Sequence, residues 1–400
     1  MENSDALVSS PFGVLAVLIF VAAFFFMLQQ KTGAKLFDYL PPLLFIYATP
    51  VFLNNFGVVP SSSPVYAGLS AYLLPAFIVL MLIKVNVPAV VRVMGKGVLV
   101  MLMGTVGVMV GAVVAYMLVH SWLSDDAWKG YGALAGSWIG GTANMAATAE
   151  MLGTSEEQFG LAVIADNVVY VVWLPLLLLS RDFADRFNKW ARVPEDRLIA
   201  MDTAAKLHVE EDQAPTMPQY LFIVAIVIGV TWVSTAVAPG ISEWISAANP
   251  GLGAVFGVST TRILLVTTLA LVLSTTAASK LPNTTAMGTA LIYIFVAGMG
   301  ARASVAGLAE APMFIAGAFI WIFIHGLFCV AGAWLFRVDI HSVAIASAAN
   351  IGAAASAPIV AAHHRPSLVP ASILMALLGY AMGNYLAPLT GHLARMAVGQ

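Results

Sequence analysis

GSWIGGTANMAATAE, at residues 136–150, belongs to an apolar segment but contains no leucine or phenylalanine. A second stretch of the same kind, SAANIGAAASAP, lies at residues 347–358. Small residues at this density suit a broken helix packed inside protein, whereas a lipid-facing helix is rich in large apolar side chains. We therefore predict that each stretch forms a re-entrant element, which enters the membrane and returns to the same side.

The composition of the whole chain places these stretches in a membrane protein. Of its 400 residues, 60% are hydrophobic and 10% are charged, whereas soluble domains contain about 45–50% and about 25%. One soluble core cannot bury that much apolar surface, and a net charge of −2 with few basic residues excludes a disordered or nucleic-acid-binding chain. The single cysteine, Cys329, excludes an internal disulfide. The fold class that remains is an all-α polytopic membrane protein.

Each half of the chain contains six apolar segments near the length of about 20 residues that crosses a bilayer. They lie at about 11–28, 39–54, 65–84, 96–119, 131–151 and 159–180, and again at about 219–238, 261–278, 285–303, 311–336, 340–362 and 367–389. Between the halves, Arg181 to Thr216 holds 14 of the 38 charged side chains. We predict a first transmembrane repeat at 1–180, a cytoplasmic linker at 181–217 and a second repeat at 218–400.

The distribution of basic residues favours five crossings in the first half and is evenly divided in the second. If segment 131–151 returns to its own side, the linker side of the first half receives eleven Lys and Arg residues, and the other side receives only Lys129. A full crossing would remove this bias, which membrane proteins show on the cytoplasmic side. The eleven are Lys31, Lys35, Lys84, Arg92, Lys96 and six in the linker. We therefore predict a bacterial inner-membrane protein with both termini periplasmic and the linker cytoplasmic.

The two halves also resemble each other weakly. A shift of 220 aligns Ala67-Gly68-Leu69 with Met287-Gly288-Thr289, and a shift of 213 aligns Pro175 with Pro388. Chance similarity between apolar helices is the alternative. If each copy crosses five times, the copies are inverted, and inverted repeats with interrupted segments are typical of secondary transporters. At such interruptions, helix N-termini favour anions and free carbonyl groups favour cations.

Asp166 is the sharpest candidate for function. It lies inside the otherwise uncharged part of segment 159–180, and an intramembrane carboxylate is a functional-site hypothesis by default. It can bind sodium, carry a proton, or do both in competition; the alternative is a structural hydrogen bond to a neighbouring helix. The second half has no matching carboxylate, and Asn384 is its nearest polar candidate, so we expect an asymmetric ion site.

The interrupted segments supply most of the other candidates, because their glycines free the backbone and their hydroxyl and amide groups supply oxygen atoms. The alternative is tight helix packing through small residues, which needs the glycines but not the polar groups. We assign ion binding to Asp166, Asn167, Asn144 and Thr142, and substrate binding to Ser137, Gly140, Gly141, Thr148, Asn350, Gly352, Ser356 and Asn384.

Three further residues have open roles. Glu150 is a gate or an exposed charge, His325 is a buried hydrogen-bonded residue or a proton relay, and Arg365 is an anion contact or a charge at a cytoplasmic tip. The chain contains no His-Glu-x-x-His, Gly-x-Ser-x-Gly or P-loop motif. We therefore expect no enzymatic activity and no cofactor beyond a coupling sodium ion.

Three places in the sequence are similar to one family. They are Gly136 to Asn144, the helix with Ala165-Asp166-Asn167, and Ala349-Asn350-Ile351-Gly352. Over about residues 10–392, the chain resembles the YjcL-like membrane proteins, which look like distant relatives of the sodium/glutamate symporters and the 2-hydroxycarboxylate transporters.

The resemblance implies inverted five-helix repeats with re-entrant hairpins, in which a mobile core slides against a dimerising scaffold as in an elevator. It implies that Thr142, Asn144, Asn350 and Ser356 face substrate or ion, and that Asp166 is a cation ligand. The Gly-Gly pair of the glutamate and citrate carriers occurs here only in the first half, as Gly140-Gly141. We therefore do not predict glutamate or citrate as the substrate of this chain.

These observations predict a homodimeric secondary active transporter in the lipid bilayer, driven by sodium or protons. Its substrate would be a small polar or anionic organic solute of the amino acid, carboxylate or small-peptide class. A cation/proton antiporter without an organic substrate is the main alternative. A channel or a receptor-like structural protein is a further one, although it would not need paired interrupted segments.

Overall fold

Helices form the regular structure of the described residues, which are 6–33, 36–39, 42–194, 215–303 and 310–400 of a computed structural model. No strand occurs in those ranges, which confirms the all-α fold class. Lys35 and most of the linker, residues 195–214, lie outside the described residues.

The first half contains nine helices that matter for the site. They are α1 (Pro11–Thr32), α2 (Pro42–Asn55), α3 (Pro64–Leu82, with a π-helical part at Leu69–Leu73), α4 (Val87–Met94), α5 (Gly97–Val119), α6 (Ala127–Gly140), α7 (Thr142–Leu152), α8 (Glu156–Leu179) and α9 (Ala184–Trp190).

Among the described residues, the second half contributes seven further helices of this kind. Its helices are α10 (Met217–Ala248), α11 (Val258–Ser274), α12 (Thr284–Arg302), α13 (Ala311–Phe336), α14 (Ile340–Ile351), α15 (Ala353–His364) and α16 (Val369–Ala397). Short helical turns at Leu36–Tyr39 and Pro250–Val255 lie in connections.

Local sequence signals explain several helix ends. Ser10 accepts a hydrogen bond from the Gly13 amide and Pro11 follows it, so α1 begins there. Gly33 ends α1 in the left-handed conformation at φ 55°. Ser155 accepts from the Gln158 amide and precedes two glutamates, so α8 begins three residues before the predicted segment 159–180.

Eight helices of the described residues are long and apolar enough to cross a membrane: α1, α3, α5, α8, α10, α12, α13 and α16. The predicted spans 39–54 and 261–278 correspond to α2 and α11, which have only 14 and 17 residues. Two predicted lengths were wrong, because segment 219–238 is the 32-residue α10 and segment 367–389 extends to Ala397. The first part of the predicted linker forms α9, where Asn188 Oδ1 accepts from the Ile340 amide at 3.1 Å.

The two interrupted segments are helical hairpins. In hairpin 1, formed by α6 and α7, a Cβ atom on Gly136 would lie 2.6 Å from the Asn144 carbonyl oxygen. Further from the turn, Thr154 Oγ1 donates to the Lys129 carbonyl at 3.4 Å. In hairpin 2, formed by α14 and α15, His341 Nδ1 and His364 Nδ1 are 3.1 Å apart. These contacts join the start of the first helix to the end of the second, so the two helices of each hairpin are antiparallel to each other.

The hairpins enter the protein from opposite ends. The base of hairpin 1 lies at the C-terminal end of α16, where the Trp128 and His392 rings are 5.2 Å apart. The base of hairpin 2 immediately precedes α16 and contacts the C-terminal end of α8, where His364 Nε2 donates to the Leu177 carbonyl at 2.8 Å. The tips therefore meet near the middle of α16. This opposed arrangement agrees with an inverted repeat, although the full five-helix repeat stays a prediction.

The helices group into two bundles with dense packing inside each and sparse packing between them. The hairpin bundle contains α4–α8 and α13–α16, and the outer bundle contains α1–α3 and α10–α12. Helices α1 and α10 expose most of their apolar residues, as lipid-facing helices do. The site is thus surrounded by the hairpin bundle, and α11 provides much of the contact between the bundles.

Candidate functional site

Asp166 is held by the first helix of hairpin 1. Ser137 Oγ donates to Asp166 Oδ2 and Trp138 Nε1 donates to Asp166 Oδ1, both at 2.8 Å. The Trp138 ring packs at 4.6 Å from the Trp321 ring, which stacks on Tyr131 at 5.4 Å. Because these aromatic side chains are fully buried, the indole donor has a fixed position.

No Lys, Arg or His among the described residues forms an ion pair with Asp166, and the ion pairs of Lys129, Arg262 and Arg302 involve other carboxylates. Two neutral donors stabilise an ionised carboxylate but do not cancel its charge. Burying an uncompensated charge in a membrane is costly. The arrangement can therefore bind a cation or a proton at this position.

The hairpin tips touch each other next to α16. Gly141 has φ 82° and ψ −175°, a conformation that favours glycine, and a Cβ atom on it would lie 2.8 Å from Ala353 Cβ. Ala353 itself has a positive φ of 48°, which is uncommon for a residue with a Cβ atom. The tips thus combine close backbone approach with local strain, a combination found at functional sites.

Two helices begin at the tips. Helices α7 and α15 start after Gly141 and Gly352, and neither glycine provides a side-chain cap. Tyr170 packs against Gly352, and Tyr380 packs against Gly141. Uncapped N-termini carry partial positive charge. Their convergence makes this region electrostatically suited to a negatively charged group.

Asn144 fastens hairpin 1 to α16. Its Nδ2 atom donates to the carbonyls of Gly379 at 3.3 Å and Tyr380 at 3.1 Å. The amide lies against Gly140 and Gly383, where a Cβ atom would overlap it. These contacts account for a glycine at both positions and give Asn144 a structural role beside its predicted role in ion binding.

Asn350 fastens hairpin 2 in the same manner, to a different helix. Its Nδ2 atom donates to the Met101 carbonyl at 3.1 Å, and its Oδ1 atom accepts from Thr105 Oγ1 at 3.3 Å. The side chain is fully buried. Both predicted asparagines therefore bond protein groups, and each hairpin is tied by one amide to a long helix of the hairpin bundle.

The remaining predicted residues divide into three groups. Ser356 Oγ donates to the Ala348 carbonyl at 2.8 Å, and Asn167 Nδ2 donates to the Val163 carbonyl at 2.8 Å, so both bond their own segment. Thr142 lies half-buried at the tip of hairpin 1, and Thr148 Oγ1 is buried without a hydrogen-bond partner. Asn384 does not face the tips: its Nδ2 atom donates to Thr267 Oγ1 of α11 at 2.9 Å.

The residues with open roles also have defined contacts. His325 Nδ1 donates to the Gly104 carbonyl at 2.8 Å and its Nε2 lies 2.9 Å from Ser347 Oγ, which also accepts from Trp173 Nε1. This network satisfies a neutral imidazole and favours the hydrogen-bonded interpretation over the proton relay. Arg365 closes hairpin 2 at the end opposite to the base of hairpin 1.

Glu150 pairs across the bundles. Its carboxylate lies 3.9 Å from Arg262 of α11, so it is neither isolated nor simply solvated. A second pair joins Glu156 of α8 to Arg302 of α12 at 2.9 Å. Both pairs lie at the end of the protein that contains the base of hairpin 1.

Two residues of the site, Trp138 and Tyr380, were not predicted from the sequence. Trp138 directly follows Ser137 in the glycine-rich stretch, where a large aromatic residue is out of place unless it has a specific partner. Its ring nitrogen is a donor only, which is the signal that could have connected it to an acceptor such as Asp166.

Comparisons with known proteins agree with the membrane fold. A family model described as "Protein of unknown function (DUF819)" matches residues 16–397. The chain is also 26% identical over 343 residues to the "Uncharacterized membrane protein YjcL" of Bacillus subtilis (strain 168), which covers 85% of this chain and 86% of that protein. The resemblance found from the three sequence motifs is thereby confirmed.

Proposed function

The chain belongs to the DUF819 family of membrane proteins, and we propose that it is a secondary active transporter driven by sodium or protons. Its solute would be small and polar or anionic, of the amino acid, carboxylate or small-peptide class. One observation carries the proposal: two hairpins from opposite ends of the protein meet tip to tip while one of them holds an intramembrane carboxylate, Asp166. Paired interruptions of this kind are where transporters bind solutes and ions.

Two further features support the solute and the mechanism. The two uncapped helix N-termini at the tips favour a negatively charged group on the solute. The sparse contact between the bundles supports an elevator in which the hairpin bundle moves against the outer bundle. We place the protein in a bacterial inner membrane as a homodimer, with both termini periplasmic and the linker cytoplasmic.

A cation/proton antiporter remains the second candidate, because Asp166 alone would serve that function. The two converging N-termini favour the solute transporter over it, since an antiporter has no anionic ligand for them to bind.

A thermal-shift screen followed by flux measurements tests the proposal. Purified protein is heated with sodium, lithium, a range of pH values and a panel of small metabolites, because a bound ligand raises the melting temperature by mass action. Each hit is then tested for uptake into liposomes with and without an ion gradient. We expect saturable uptake that stops when the gradient is collapsed. Ion-driven pH changes without any solute would identify the antiporter instead, and a flux that neither saturates nor depends on a gradient would contradict both.

A further inference from the structure

Helix α11 and the residue that follows it repeat a pair of hydroxyl residues every seven positions. The pairs are Thr260-Thr261, Thr267-Thr268 and Ser274-Thr275, and we call them rungs 1, 2 and 3 of a hydroxyl ladder. Seven residues make nearly two helical turns, so the rungs lie on one side of the helix at a spacing of about 10.5 Å. The repeat matters because α11 lies between the two bundles.

The hairpin bundle is bound to the first two rungs. At rung 2, Asn384 Nδ2 donates to Thr267 Oγ1 at 2.9 Å, and the Tyr385 hydroxyl lies 2.8 Å from Thr268 Oγ1. At rung 1, Thr260 Oγ1 donates to the Met151 carbonyl at 3.1 Å. Met151 and Asn384 are therefore spaced along α11 by one rung.

Rung 3 makes only local bonds. Ser274 Oγ and Thr275 Oγ1 donate to the Leu271 and Val272 carbonyls of their own helix, both at 2.7 Å, and Thr275 is exposed. The hydrogen bonding between the bundles in this position, or register, along α11 is also incomplete, since Asn384 Oδ1 is buried without a hydrogen-bond partner. An unpaired buried acceptor at the contact, next to an unoccupied rung, indicates that this register is one of at least two.

We propose that the hydroxyl ladder sets the register between the bundles, and that the hairpin bundle moves by one rung towards the C-terminal end of α11. The step is about 10.5 Å long. It brings Asn384 and Tyr385 to rung 3 and the Met151 carbonyl to rung 2, so one displacement restores both sets of bonds. It separates Glu150 from Arg262, the ion pair beside rung 1. The inference rests on the proposed function, because the second register belongs to a transporter that moves one bundle.

Cysteine cross-linking in liposomes tests the step without requiring transport. In a Cys329→Ser background, Tyr385→Cys is combined in turn with Thr268→Cys, Thr275→Cys and Val272→Cys, and a short thiol cross-linker is added. The Thr268 pair reports the present register, the Thr275 pair reports the one-rung step, and Val272 is an exposed control one turn from Thr268. We expect cross-links in the Thr268 and Thr275 pairs and a shift of yield between them when sodium is added or the pH is changed, with a nearly constant yield in the Val272 pair, which lies between the two rungs.

Two other outcomes would contradict the proposed sliding step without contradicting the proposed function. A yield that is highest in the Val272 pair, without a shift between the Thr268 and Thr275 pairs, would show sliding outside the ladder register. A cross-link of the Thr268 pair alone, under every ion and solute condition, would show that the step does not occur. Uptake measured in the same liposomes decides the proposed function independently.

A second pair of variants guards against loss of folding. Ser274→Ala with Thr275→Val removes both hydroxyl groups of rung 3, whereas Ser274→Thr with Thr275→Ser retains them. We expect slower solute exchange only in the first variant, with both proteins equally well folded by size-exclusion chromatography. Equal exchange in the two variants would also overturn the ladder.

Discussion

Replacing Asp166 by asparagine removes the intramembrane charge while keeping the shape of the site. The amide can place Oδ1 towards the Trp138 donor and Nδ2 towards Ser137, whose hydroxyl can also accept. Both hydrogen bonds survive in weaker form, so we expect the stability of Asp166→Asn to stay within about 1.5 kcal/mol of the wild type. The variant therefore separates charge from folding.

The expected effect on the coupling ion is much larger. Two unit charges about 4 Å apart interact by about 4 kcal/mol at the effective dielectric constant of about 20 that suits protein sites. Since about 1.4 kcal/mol is a factor of ten in affinity, losing the carboxylate should weaken cation binding by about a thousandfold. Ion-coupled uptake should fall to the background of empty liposomes.

Ser137→Ala is the matched control, because it removes one hydrogen bond to Asp166 and keeps the charge. A hydrogen bond to a charged group contributes about 1.5–3 kcal/mol, so its loss should weaken cation binding by about tenfold to a hundredfold. The assay compares uptake rate and its dependence on ion concentration in liposomes for all three proteins. Wild-type rate and ion dependence in Asp166→Asn would refute the assignment, as would a larger loss in Ser137→Ala than in Asp166→Asn.

Three other changes have defined outcomes. Asn144→Asp places a carboxylate against the Gly379 and Tyr380 carbonyls and should lower stability by about 3–5 kcal/mol, against about 1–3 for Asn144→Ala, measured by thermal unfolding; equal effects would contradict the fastening role. Gly383→Ala should destabilise because its Cβ atom overlaps the Asn144 amide, whereas Gly229→Ala, with open space in α10, should be neutral or stabilising by up to about 1 kcal/mol. His364 lies outside the candidate spans, and burial lowers its pKa from 6.5 to about 4, only partly offset by its bond to the Leu177 carbonyl. Protonation therefore favours the unfolded chain, so stability is fully present above about pH 6.5 and falls towards pH 4. His364→Gln should flatten this decline in melting temperature, and an unchanged slope would exclude His364 as its source.

The class of fold and the interrupted segments could be predicted because they depend on composition. Residues 136–150 and 347–358 have too few large side chains to face lipid, whatever their neighbours. Helix lengths were harder to predict. The helices that end at Ala248 and Ala397 extend into mildly polar stretches, which a hydrophobicity pattern does not include. The start of α8 was readable from Ser155 and the two glutamates after it, a capping signal independent of hydrophobicity.

The contacts of the candidate site were less predictable than its residue types. The stretch around Asn144 indicates a polar amide inside protein, but its partners are backbone carbonyls of α16, and a carbonyl group has no sequence signal. Asn384 was predicted to bind substrate, yet it faces α11, because only the packing of α16 decides which side its side chain takes. Asp166 was identified because a lone carboxylate in an apolar span stands out without any knowledge of its neighbours.

The fastening of hairpin 1 also sets an order of assembly during synthesis. Asn144 leaves the ribosome 235 residues before the Gly379 carbonyl that it bonds. At about 5–20 residues per second, its amide waits about 10 to 50 seconds for that partner. Hairpin 1 therefore cannot reach its final packing as it is inserted, and the last helix completes a structure begun in the first half. A nascent chain that stops before α16 would leave hairpin 1 unfastened, which gives cellular quality control a direct way to recognise it.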